Sequence, residues 1–394
     1  VDELTIHPRD NALLVATHGR ALWILDDLSP VQEYAAANAA GDAKLFTPAP
    51  ALQWKNMDNR NDEFWGHQYF IGENPPLEAV LAMNLKKNVP GLALRILDGG
   101  RVIRTIAVPG SKNQAGIQFV CWDQRVEPIV GDTAAFAGLG GRGGGGGRGA
   151  APPAVPGVPQ PIPSAGYLPA NPCANGPEAD GSGGFGFFAG LGNAGPHVVP
   201  GTYTVQLVAG EQVLDTKSLR IVGDPAVRMA DAERKKYNDV ASDLHELQRR
   251  ATAAQTVLQQ LNREISAAGG KVRDGASIPA DVKSQWDAFN KEWEGVRRKF
   301  GVGVAPAAGG RGGGGGRGAA PDPDNVVARL GGAKSSVAAF WETPSASVMQ
   351  QYNDAKAALP KAIADANAFI AKAAAMSNTL KAQNITLTVP PAIK

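Results

Sequence analysis

Four carboxylates stand where a catalytic pair would be sought: Asp26, Asp27, Asp123 and Glu127. Glycoside hydrolysis places two such groups across the scissile bond, one to move a proton and one to attack or to activate water. Asp26 and Asp27 are neighbours at the end of an apolar run, and neighbours on a strand point to opposite faces. They read better as turn caps or as partners of Arg20. His7, His18 and Arg20 fall on stretches expected to be adjacent strands and form a second cluster. Two imidazoles without a cysteine or a clear third carboxylate make a weak metal site. The expectation is therefore that His18 hydrogen-bonds within its sheet, and that no metal or cofactor is held. If the chain had a catalytic role, Asp26, Asp27, Arg20 and His18 would be the candidates. The sequence contains no G-x-S-x-G, H-E-x-x-H, P-loop or strand-borne G-x-G-x-x-G motif.

The two cysteines, Cys121 and Cys173, lie on either side of a glycine-rich tract. A disulfide between them would staple the ends of that insertion. Two separate thiols, one in a strand and one in a loop, is the other reading.

The elements that must position these groups begin with LLVATHGRALWILDD, Leu13 to Asp27. Leu13, Val15 and Thr17 alternate with Leu14, Ala16 and His18, a strand period with two largely apolar faces. Gly19-Arg20 turns the chain. A second strand follows, with Trp23 on one face and Leu22 and Ile24 on the other. Glu3 to His7 adds a third strand, closed by a Pro-Arg-Asp-Asn turn. A meander this small buries too little surface to stand alone, and residues 1–33 should need neighbours. A start at Val1 without Met is read as a trimmed chain or a piece of a longer one.

Residues 34–44 read as a connector or short helix. From 45 to 224 the texture is that of about seven short antiparallel strands without an intervening helix, which argues for a sandwich. They are LFTPAPALQWK, then 78–85, 92–98, 102–108, 117–123, 201–209 and 211–223. A Gly/Pro-rich insertion over 131–196 interrupts them. Its core, GGRGGGGGRGAAP, recurs in a second tract within 301–324. Glycine builds no core, so both read as linkers or loops. Each copy has two arginines and no interleaved aromatics, unlike a nucleic-acid tract.

Helical periodicity occupies the rest. Tyr237, Val240, Leu244, Leu247, Ala251, Ala254, Leu258, Leu261 and Ile265 keep a 3–4 spacing, and so do Val282, Trp286, Phe289, Trp293, Val296 and Phe300. They predict a long helical hairpin over 228–300, its first helix ended by Gly269-Gly270 and its second opened at Pro279. Residues 325–394 should hold a short helix from Val326 to Trp341, a longer one from Ser345 kinked at Pro360, and an extended tail. The formal net charge of +2 implies no basic surface for nucleic acid. The chain has no run of 18 apolar residues, so no transmembrane segment is expected.

THGRALWILDD with the preceding HPRDN resembles the closing blade of large β-propellers in bacterial secreted proteins. These carry BNR or sortilin-like (VPS10-type) repeats and are often labelled glycosyl hydrolase. The resemblance runs on through the strands and the helices, and so covers the end of that family's usual length. LRILDGGRVIRTI, FVCWD and VVPGTYTVQLVAG are similar to Ig-like modules of secreted and flagellar hook-cap proteins, which would make Trp122 a core residue. The implied fold class is multidomain β plus α: terminal propeller strands, an Ig/FnIII-like antiparallel sandwich and an antiparallel helical bundle.

The implied partners are upstream propeller blades, in the same polypeptide or a separate chain, together with a protein or glycan ligand. The implied location is secreted, periplasmic or cell-surface. The Asp-box repeat of sialidase-type propellers is absent from the sequence. Three functions follow as expectations: a noncatalytic accessory or binding section, the end of a glycoside hydrolase whose site lies upstream, or a structural subunit of a surface assembly.

Overall fold

The computed structural model describes residues 1–19, 22–54, 76–129, 173, 193–275, 277–303, 323–338 and 342–394. The chain is a mixed β and α protein built of largely antiparallel sheets and long helices. The described residues form two units. The first holds residues up to Pro128 together with 173 and 193–231, and the second holds Ile129 and the residues from Ala232.

The first unit opens with a three-stranded sheet: β1 (Glu3–Ile6), β2 (Leu13–Ala16) and β3 (Leu22–Leu25). They pair antiparallel with β2 in the middle. Asn11, at φ 53°, makes the turn after β1. Its side chain reaches Ser29 and Gln32, and its carbonyl accepts from the Leu28 N–H. Those bonds tie the small sheet to α1 (Ser29–Gln32), which leads into α2 (Tyr34–Ala39). Arg20 and Ala21 lie outside the described residues, as do the glycine-rich cores of both tracts.

Two further sheets share one core. The three-stranded one runs β4 (Ala43–Leu45), β6 (Ala79–Leu85), β9 (Gly116–Trp122). The five-stranded one runs β5 (Ala51–Gln53), β11 (Gln212–Gly223), β10 (Gly201–Ala209), β7 (Leu92–Asp98), β8 (Arg101–Ala107). Alternate residues of both fill the space between: Leu81 and Met83 from one, and Leu94, Ile96, Val205 and Leu207 from the other, all at 0% exposure. Burying each such side chain stabilises by about 1.5–3 kcal/mol.

Two expectations change here. LFTPAPALQWK, read as one strand, is two, and they belong to different sheets. Pro48 and Pro50 stand between them and have no N–H for a ladder. The strands expected to be antiparallel throughout are not, because β5 pairs parallel with β11. The segments on either side of the insertion do rejoin. Val126 N–H donates to Pro196 O, Val198 N–H donates to Gln124 O, and Arg125 bridges His197.

Among the described residues the second unit holds four helices: α3 (Asp231–Asp274), α4 (Ala280–Lys299), α5 (Val326–Ala338) and α6 (Ala346–Lys381). Both predicted stripes lie in one core. The α3–α4 register is antiparallel. Gln255 donates to Phe300 O, Trp293 donates to Asn262 Oδ1, and Gly269 lies under Trp286. Phe369 of α6 stacks on Phe289 and Trp293.

The expected helix stop at Gly269-Gly270 is wrong, since α3 continues to Asp274. A Cβ at position 269 would sit 3.3 Å from the Trp286 ring. The glycine therefore serves close packing, and the helix carries its propensity cost of about 1 kcal/mol. α6 runs on through Pro360, and α5 is described to Ala338, so the expected limit at Trp341 lies outside the described residues.

Candidate functional site

Asp27 accepts from the Ser29 N–H at 2.9 Å and from its hydroxyl at 2.7 Å, capping the turn into α1. Asp123 accepts from the Arg125 N–H. Glu127 lies along β8: its carboxylate accepts from Thr105 N–H at 2.9 Å, and its own N–H donates to Ile103 O. It therefore meets an edge strand much as a next strand would, which blocks further pairing there. Asp26 is exposed, and partial desolvation raises its carboxyl above the usual value. Arg20, the proposed partner of the two aspartates, is outside the described residues.

The histidines are separated by the register. His7 follows β1 and its N–H donates to Ala12 O, whereas the Asp2 N–H donates to Ala16 O at the other end of the ladder, near His18. His7 Nδ1 is 3.2 Å from Asp10, and His18 Nδ1 is 3.8 Å from Asp2 with its side chain almost fully exposed. His18 thus sits in solvent beside a carboxylate of the same sheet. No group of three metal-ligating side chains occurs among the described residues.

Cys121 and Cys173 form a disulfide with their Cα atoms 5.7 Å apart. Of the two open readings, the staple is the one adopted, and it anchors β9 to residue 173.

One cleft, of about 330 Å³, lies among the α2–β4, β6–β7 and β10–β11 connections. Its charged lining is already engaged. Lys87 pairs with Asp42 at 2.7 Å and holds that carboxyl below its usual value, and Lys44 lies 3.7 Å from Asp215. Nothing there forms a nucleophile–base pair.

The unusual surface is the first sheet. Its register sets Leu4–Val15–Trp23 and Ile6–Leu13–Leu25 in two rows on one face. All six are apolar. Leu14, Leu22 and Ile24 share the other face with Ala16, Glu3 and Thr5. Exposure reaches 62% at Leu4, 74% at Leu22 and 64% at Ile24. Water-facing sheets ordinarily alternate apolar and polar, so a sheet apolar on one side and largely apolar on the other lacks an ordinary solvent face. The two apolar faces of β2 and β3 were visible in the sequence. The contribution of Leu4 and Ile6 was not, because it depends on the β1–β2 register.

Comparison of the chain with family models, with curated proteins and with solved structures finds no match. Among the described residues, no helix is long and apolar enough to cross a membrane.

Proposed function

We propose that this chain is a noncatalytic, scaffolding or binding section of a larger secreted β-propeller protein. In this reading β1–β3 are the closing strands of a blade that packs between neighbouring blades. The observation that carries it is the sheet with two apolar, exposed faces. A blade in a propeller ring has sheets against both sides, which is the environment such a sheet requires. The resemblance of HPRDN and THGRALWILDD to closing blades supports it. The disulfide suits an oxidising compartment.

The two-sheet core is read as an Ig-like module. Tyr203, at the start of β10, donates its hydroxyl to Val199 O at 2.6 Å. Such a return bond from a tyrosine to the backbone a few residues upstream recurs in Ig-type sandwiches. Burial, together with Asp98, pushes that hydroxyl up to about 12. Trp122, fully buried, meets the Tyr203 ring edge-on.

The test is amide hydrogen exchange across Leu13–Leu25, with and without the blades encoded upstream in the same reading frame. The expected result is rapid exchange or self-association in the 394-residue chain, and protection once the blades are present. Slow exchange in a chain shown to be monomeric would defeat the proposal.

A further inference from the structure

Among the described residues the helical unit buries one lysine. It stands on α5, whose charged side chains are Arg329 and Lys334, with no acid between Val326 and Ala338. Val326, Leu330, Ala333 and Val337 turn one face of that helix into the core. Lys334 lies with them, 3% exposed, and its Nζ is 3.3 Å from Nδ1 of His245 on α3. This contact is to an imidazole, not to a carboxylate.

Between the two nitrogens there is room for one proton. With the lysine an ammonium, Nδ1 must keep its lone pair, so the ring is neutral and carries its proton on Nε2. A second proton leaves two donors face to face and two positive charges 3.3 Å apart, with Lys334 shielded from water. An imidazole ordinarily takes that proton near pH 6.5. The unfolded chain accepts it freely, and the folded contact opposes it. Its stabilisation is therefore present above that pH and is lost as the pH falls.

The acids nearest along α3 are already engaged. Asp243 accepts from Tyr352 and Lys356 of α6, at 2.9 and 3.0 Å. Glu246 feels His245, but the Arg249 hydrogen bond is what chiefly holds its carboxyl below the usual value. Asp324 precedes α5 and Glu342 follows it. Beside the pair stands Gln248, 4% exposed, whose Oε1 has no hydrogen-bond partner among the described residues. A Cβ at Gly331 of α5 would stand 3.4 Å from its Nε2. The α3–α5 seam is thus polar where the rest of the core is apolar.

We propose that this seam is a pH-sensitive latch, closed at neutral pH by the Lys334–His245 contact and loosened when His245 takes up a proton. The inference uses only the helical unit and is independent of the propeller reading. His245 is the only histidine from Ala232 onward, and no cysteine lies there. No other side chain of the unit ordinarily titrates between pH 7.5 and pH 5.5.

The test is amide exchange of the full chain at those two pH values, each rate divided by the intrinsic rate at that pH. Opening at Leu330 and Val337 should rise at least about tenfold at the lower pH, and that at Leu258 of α3 and Phe289 of α4 by less than about threefold. His245→Gln keeps an acceptor for Lys334 and does not titrate, and Lys334→Met removes the opposing charge. Each should abolish the rise, and either decides alone if the other fails to fold. No rise in the unaltered chain, or a rise that survives in either folded variant, would overturn the proposal. So would an equal rise in α3, α4 and α5, which would be loosening of the whole unit by acid.

Discussion

Leu22–Leu25 and Val205–Val208 are strands of similar apolar content with opposite fates. All four residues of the first are exposed, whereas Val205 and Leu207 are at 0% and Val208 at 1%. The second stretch lies in the middle of a five-stranded sheet with another sheet across the core. The first is an edge of a three-stranded sheet. Apolar sequence supplies the incentive to bury, and a second layer supplies the means. The contrast separates a strand with a second layer across the core from one without a second layer among the described residues.

The contrast is sharpest at two tryptophans. Trp122→Ala should cost about 3–5 kcal/mol in urea unfolding, because it empties a fully buried site and removes the Trp122 Nε1 bond to Arg125 O. A cost below about 1 kcal/mol would place Trp122 with the exposed residues and break the comparison.

Cys121→Ala with Cys173→Ala should be the next largest change. The bond spans a sequence separation of 52, and its loss should lower stability by about 2–4 kcal/mol. Because it anchors β9 and not β1–β3, amide exchange in the first sheet should be unaltered while that in β9 accelerates.

A pH series tests the same core. Burial, and then Arg125, push the His197 imidazole down to about 3. The unfolded chain therefore binds a proton that the folded one refuses between about pH 6.5 and pH 3. The contribution is present in full above pH 6.5 and is lost as the pH falls, at no more than about 1.4 kcal/mol per pH unit. The difference between the unaltered chain and His197→Gln should carry that slope, and a flat difference would contradict it.

The smallest effect belongs to the first sheet. Trp23→Ser or Ile24→Ser should move the stability of this chain by no more than about 0.5 kcal/mol, as exposed positions do. The same changes should reduce self-association measured by light scattering. If β1–β3 pack between blades as proposed, each should become costly when those blades are supplied. If either cost exceeded about 2 kcal/mol in the monomeric chain, β3 would already be packed and the two regions would not differ.

Much of this was legible from residue order, because periodicity is a local property. The stripe from Tyr237 to Ile265 and the pair Trp286 and Trp293 marked helices and their buried sides. The alternation in Leu13–Ala16 and Leu22–Leu25 marked strands with two apolar faces. What tertiary structure alone decided was partnership. It divided LFTPAPALQWK between two sheets and set β5 parallel to β11. It carried α3 past Gly269, because Trp286 needs the space. It also turned Glu127 into the acceptor for the Thr105 N–H. Each of those outcomes depends on a residue elsewhere in the same unit. Asn367 shows the limit most plainly. Nothing in its neighbourhood marks it, and its bonds to the Ile393 main chain exist only because that residue, 26 residues away, folds back to meet it.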